Sequence, residues 1–373
     1  MKSKSLFFVI TFLIVFIVGC TTKDKVRIDQ PQKNLNLIQK ELNLLIETKF
    51  ETPLQINPYS FVEISEWYDS QTILLLKDEN AVSYIDKINL NTGEISEFFQ
   101  SEEPIFSVEA NYDHSYFAIQ TSTYDLTAPL YFINKEGEVV YKLSEIGEDF
   151  SLFWNQYDRD ELIIISFLPD WEFDVYRLNL KDGRLVQLDL EKMYFQWLNE
   201  DEVAFLEWSS FAPSFFAPIY KYNLETNHTE EILEEVIAFV TFGENILVAI
   251  SVDSLDAEMS LYQFYKNNNP IGELQIPTLN TYSEQWWIPF HQYDSSEHLF
   301  YFLRPLYSGD FFSYDAPFEL TQFNVETGTE QKILDLELQA PIKLSPNGNW
   351  MLYGNQYEWL IDLTNKEVHS LIE

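Results

Sequence analysis

From Phe61 onward, short apolar runs alternate with clusters of Asp, Asn, Gly and Ser. Ile73-Leu74-Leu75-Leu76, Leu162-Ile163-Ile164-Ile165 and Ile246-Leu247-Val248-Ala249-Ile250 are typical of the runs. Apolar runs this short read as β-strands, and the clusters between them read as turns. Many of the turns share one pattern. Asn89-Leu90-Asn91-Thr92-Gly93, Asn134-Lys135-Glu136-Gly137, Asn179-Leu180-Lys181-Asp182-Gly183, Asn223-Leu224-Glu225-Thr226-Asn227 and Asn324-Val325-Glu326-Thr327-Gly328 each join two such runs. Gly and Asn suit these places because tight β connections need a residue that tolerates positive φ.

Weaker copies start at Tyr265 and Asp362. Aligning the seven starting residues gives steps of 45, 45, 44, 42, 59 and 38 residues. A period in this range, with about four strands per unit, predicts an all-β fold: a single β-propeller of four-stranded blades, seven by this count and six as the alternative. The longest step predicts an insertion. One unit parses as strands over residues 150–154, 161–167, 174–179 and 185–188, and the others follow suit.

The connection between second and third strands is expected to be long, proline-bearing and aromatic in every unit, whereas the other turns are short. These long connections should emerge on one face. Residues 208–218 and 304–317 carry more rings than turning the chain requires. They make Trp171, Phe211, Phe215, Phe216, Tyr307, Phe311, Phe312 and Tyr314 candidate contacts for a protein, peptide or glycan partner, oriented by Arg304 and Asp310. The competing expectation is that the rings only roof the domain. Trp67, Trp154, Trp197, Trp286 and Trp287, near the starts of units, are expected to pack between blades.

The N-terminal end has a different texture. Lys2 and Lys4 precede an apolar run over residues 6–18, followed by Gly19 and Cys20. The run is shorter than the roughly 20 residues that cross a bilayer core, so it reads as a signal peptide over residues 1–19. Cys20 is the single cysteine, which excludes an internal disulfide and a cysteine-rich zinc site. Residues 20–50 read as a tether with a short docking segment, leaving residues 51–373 for the propeller.

The net charge of −37 makes nucleic acid an improbable partner. It should also hold the domain away from anionic lipid. Motifs for serine hydrolases, zinc proteases, nucleotide binding and dinucleotide binding are missing from the sequence. His114, His228, His291, His298 and His369 lack metal-ligand spacing, and histidines near turns are expected to be solvated. No cofactor, metal site or catalytic residue is therefore expected. A glycan hydrolase or lyase with carboxylates at the central channel is the alternative to a non-catalytic binding or scaffold propeller.

Two motifs carry a resemblance. Ile17-Val18-Gly19-Cys20 is similar to the lipobox of bacterial lipoproteins, in which the cysteine receives a lipid. Ser345-Pro346-Asn347-Gly348 resembles the Ser-Pro-Asp-Gly turn of TolB-type repeats, with Asn347 in place of Asp. Together with the asparagine hairpins they make the chain similar to the YqgU-like propeller lipoproteins of Bacillus-type bacteria, over about residues 50–373. The resemblance implies a lipid on Cys20, a location on the outer, extracytoplasmic side of the cell membrane, and a propeller usually described as six-bladed.

Overall fold

The asparagines that open the repeated hairpins act through their side chains. Asn89 Oδ1 accepts from the backbone N–H groups of Asn91 and Thr92, both at 3.0 Å, and Asn324 Oδ1 accepts from Glu326 at 3.1 Å and Thr327 at 2.8 Å. Asp362 does the same for Thr364 and Asn365 at 2.8 Å. The fifth residue then takes the left-handed region, with φ of 67° at Gly93, 55° at Asn227 and 68° at Gly328. The repeated pattern thus encodes one Asx-type turn with one left-handed residue.

The computed structural model describes residues 53–123, 129–169, 172–209, 211, 214–281 and 285–372. The chain separates into two units, Met1–Lys49 and Phe50–Glu373, and every described residue belongs to the second. Cys20, the signal-like segment, the tether and Trp171 lie outside the described residues.

The second unit is an all-β propeller of four-stranded antiparallel sheets. Among the described residues there are seven such sheets and one three-stranded sheet. The first sheet runs Phe61–Trp67, Thr72–Glu79, Val82–Asn89 and Ile95–Ser101, and the third runs Asp149–Trp154, Glu161–Phe167, Phe173–Asn179 and Arg184–Leu188. The others span residues 105–143, 196–236, 238–277, 291–336 and 342–370. Each uses consecutive strands, apart from the insertion in the sixth. All four strands of the last sheet come from the C-terminal end of the chain.

Second strands are buried on both faces, which explains their unbroken apolar runs. In Glu161–Phe167, Leu162 and Ile164 pack toward the second sheet while Ile163 and Ile165 pack toward the fourth. Seven buried clusters result. Six lie between consecutive sheets, and the seventh joins Ile64, Trp67, Ile73 and Leu75 of the first sheet to Leu352, Leu360 and Leu371 at the C-terminal end. Backbone bonds cross that seam as well: Leu54 N–H to the Leu371 carbonyl at 2.8 Å and Ile64 N–H to that of Gln356 at 3.0 Å.

The tryptophans near unit starts divide. Trp67 is fully buried and donates its indole N–H to the Lys343 carbonyl of the last sheet at 3.1 Å; Trp197 donates to Phe153 of the preceding sheet at 2.8 Å. Trp154 meets Phe132 edge-on across the second and third sheets. Trp287 packs against the cluster between the sixth and seventh sheets. Trp286 departs from the expectation, because it lies in the insertion beneath an aromatic loop.

The first sheet also corrects the expectation of long second-to-third connections throughout. There Asn80 and Ala81, with φ of 54° and 61°, form a two-residue hairpin turn. Two residues at positive φ match the twist of the flanking strands and need no further loop.

Candidate functional site

Two regions of the propeller concentrate side chains that its core does not require. Antiparallel order places them. First-to-second and third-to-fourth turns lie at one end of every sheet; second-to-third connections and the links between sheets lie at the other.

At the latter end, three separate segments meet. Residues 207–216 connect two strands of the fourth sheet, residues 278–290 link the fifth sheet to the sixth, and residues 305–317 interrupt the sixth. The small sheet stitches two of them together: Leu279–Thr281 pairs antiparallel with Gln285–Trp287 and parallel with Gly309–Asp310. Aromatic rings complete the join. Phe215 and Phe216 lie 5.7 and 5.6 Å from Trp286, Phe311 lies 5.6 Å from Trp287, and Phe312 stands edge-on to Phe311 at 5.4 Å. Tyr314 lies 4.8 Å from both Tyr307 and Phe318.

The outer rings of this ridge remain in water. Phe211 is 98% exposed and Phe312 76%, while Phe215 and Tyr307 are about half exposed. Phe216, Phe311 and Tyr314 are partly buried; Phe311 supports Phe312, Tyr314 supports Tyr307, and Phe216 shares Trp286 with Phe215. The two polar residues expected to orient a partner are engaged with the chain itself. Arg304 pairs with Glu330 at 3.0 Å and donates to the Gln275 carbonyl at 3.1 Å; Asp310 accepts from Ser313 N–H at 3.0 Å and so caps the short 3-10 turn Phe311–Ser313. Seven of the eight ring candidates are described, and the insertion brings those of the fourth and sixth sheets together.

The second region is the central channel, a cavity of about 820 Å³. Its wall comes largely from the first strands of the sheets and the turns that follow them, including Glu66, Glu109, His114, Gln196, Thr241, His291 and Lys343. Tyrosines bridge the end where those turns lie. Tyr112, from the turn of the second sheet, accepts from Gly243 N–H at 3.4 Å. Tyr157, from that of the third, donates to the Phe242 carbonyl at 3.4 Å and accepts from Asn245 N–H at 3.1 Å. Burial pushes the Tyr157 phenol up to about 12, so it stays a neutral donor and acceptor.

On the wall, the Lys343 ammonium lies 2.7 Å from Glu66 Oε2. Glu66 also accepts from the backbone N–H groups of Trp67 at 2.8 Å and Ala110 at 3.2 Å. Burial alone would pull the lysine down, but the carboxylates of Glu66 and Glu109 hold it above its usual range. Glu109, one sheet further on, forms no ion pair among the described residues. Burial, reinforced by Glu66, pushes its carboxyl up to about 7, against the opposing pull of Lys343 and of the Trp154 indole. Burial likewise holds His114 and His291 below the usual imidazole range, which favours their neutral forms. His114 does sit in its turn, as the sequence suggested, but it also lines the channel.

Glu66, Glu109 and Lys343 are not among the residues expected from the sequence, and His114 and His291 line the channel rather than standing free in solvent. A usable signal was present: charged residues interrupt otherwise apolar first strands in an acidic chain that has few lysines.

Comparison with known proteins fits this geometry. The lipoprotein YqgU of Bacillus subtilis (strain 168), itself uncharacterized, is 23% identical over 308 residues, covering 82% of this chain and 83% of that protein. An uncharacterized protein of Listeria monocytogenes EGD-e, known from a crystal structure, superposes with a TM-score of 0.77 at 18% identity, covering 85% of this chain and 96% of the other. The β-propeller domain of the Trilobed protease from Pyrococcus furiosus, described as having an open velcro topology, gives a TM-score of 0.55 at 13% identity over 84% of this chain and 98% of that one. Residues 89–354 match the model of one protein family, and on that match the chain belongs to the YqgU-like 6-bladed beta propeller domain family.

Proposed function

We propose that this protein is a lipid-anchored, extracytoplasmic binding propeller whose aromatic ridge recognises a protein, peptide or glycan of the cell envelope. One observation carries the reading: three connections, distant in sequence, are stitched into a single ridge that leaves Phe312 largely and Phe215 about half in water, with Phe211 fully exposed on the same connection as Phe215. Exposed rings on a rigid aromatic base supply contact area at little entropic cost, as at interface anchors. The lipobox-like segment ending at Cys20, and the lipoprotein name of the Bacillus relative, support anchoring through Cys20 on the outer side of the membrane.

The seven inter-sheet clusters support a ring of seven blades over about residues 51–373. The family description is six-bladed, and its match over residues 89–354 spans the second to sixth sheets whole, with the fourth strand of the first sheet and the first two strands of the last. The channel favours a glycan hydrolase or lyase less. Paired-carboxyl chemistry needs two free carboxyls, whereas Glu66 is committed to Lys343 and two backbone N–H groups.

Crosslinking capture from intact cells tests the recognition face. The full-length chain should retain a partner that Phe211→Ala and Phe312→Ala recover far less well, equivalent to about 1–4 kcal/mol per ring. Equal recovery by both variants overturns the reading. Labelled fatty acid should enter the wild-type chain and be lost in Cys20→Ala.

A further inference from the structure

The channel wall holds a carboxyl group without a counter-charge. Lys343 is the cation that acts on Glu109, yet its ammonium is matched at 2.7 Å by Glu66. The indole N–H of Trp154 lies toward Glu109, but it is buried and closes no hydrogen bond of normal geometry. Glu109 itself borders a cavity of about 820 Å³, large enough for a small ligand. A carboxylate enclosed in this way is costly unless it takes up a proton or a partner cation.

We propose that the central channel is a second binding site, in which the Glu109 carboxylate receives the ammonium group of a small primary amine. An ammonium has three donors and a compact charge. Glu109 offers the opposite charge, and neutral His114 on the same wall offers a ring-nitrogen lone pair. Among the described residues no group of three or more His, Cys, Asp and Glu side chains is arranged to hold a metal ion, which directs the proposal toward an organic cation. The net charge of −37 raises the local concentration of any such cation.

The groups facing Glu109 are Glu66 from the first sheet, Lys343 from the last and Trp154 from the third. With its carboxyl held near 7, Glu109 is largely protonated at pH 6 and ionised at pH 8. Amine binding therefore releases a proton around neutrality, and affinity rises about tenfold from pH 6 to pH 8.

Calorimetric titration of the full-length protein with ethanolamine at pH 8 tests this, with uncharged N-acetylethanolamine as the control. Ethanolamine should bind and N-acetylethanolamine should not. Glu109→Gln should abolish binding, whereas Glu97→Gln, which removes the same charge from an exposed strand position, should leave it unchanged. Titrations at pH 7 in buffers of different ionisation heat should show proton release by the wild-type chain, a readout independent of whether the Gln variant folds. Undetectable ethanolamine binding, equal binding of the uncharged control, equal losses in Glu97→Gln and Glu109→Gln, or binding without proton release each overturns the site. The aromatic ridge is not involved: Phe312→Ala should bind ethanolamine as the wild type does.

Discussion

The aromatic ridge and the central channel are built at the same propeller by opposite means. At the ridge, partly buried rings such as Phe311 and Tyr314 hold exposed ones in place, while Arg304 is tied to strands of the fifth and sixth sheets and Asp310 caps a turn of its own loop. In the channel, polar groups face inward and fix one another, through Glu66 with Lys343 and through tyrosines that reach across to the fifth sheet. The difference separates two kinds of mutational response. Changes in the channel and at the seam beside it should be read in stability and pH dependence; changes to outer ridge rings should be read in recognition with little loss of stability.

The largest expected effect lies where the channel wall meets the ring seam. Trp67→Ala removes a fully buried indole and its bond to Lys343, so it should cost about 3–5 kcal/mol in denaturant unfolding. A loss below 1 kcal/mol would mean that the seam is not part of the cooperative core. Glu66→Ala leaves Lys343 beside Glu109 without its nearest partner. Breaking a buried pair costs roughly 3–5 kcal/mol, but Lys343 keeps 26% of its side-chain surface exposed, so about 2 kcal/mol is expected.

Glu109 should give an effect of similar size, but one that depends on pH. A carboxyl raised from 4.5 to about 7 adds stability that is fully present below pH 4.5 and is lost as pH rises through 7. Glu109→Gln should therefore match the wild type at pH 4 and exceed it at pH 8, because the variant does not bury a charge; the shift corresponds to about 3 kcal/mol, and the partial exposure of Glu109 reduces this to about 2 kcal/mol. Equal stability at both pH values would show that Glu109 is solvated. Least affected should be Phe312→Ala, whose ring is 76% exposed. Its unfolding midpoint should move by no more than about 0.5 kcal/mol, and a larger loss would make the ring a roof element.

What the sequence revealed depended on the range of the interaction. Asn89, Asn134, Asn179, Asn223 and Asn324 could be found because each hairpin is fixed by bonds to the next few residues. Likewise, two-sided burial of second strands leaves its mark as Leu162-Ile163-Ile164-Ile165. The Asn80-Ala81 turn was missed because it lacks Gly, although both residues take positive φ. Trp286 reads as a blade-interface residue in the sequence because nothing local distinguishes an indole under a loop from one between sheets. Glu66 and Lys343 are neighbours only because the ring brings its first and last sheets together; their place in apolar first strands marks each as unusual but does not pair them.

The closing seam also sets the order in which the molecule can be completed. Among the described residues the last sheet takes no strand from the N-terminal side, and the flank formed by Ile64, Trp67, Ile73 and Leu75 is covered by Leu352, Leu360 and Leu371. As the domain folds, the intermediate sheets can stack one after another, while this flank remains a sticky edge until the last sheet docks on it. A chain in which residues 342–370 fail to dock would present two unpaired apolar faces and tend to join other copies end to end, so the soundness of the fold comes down to the docking of that one sheet.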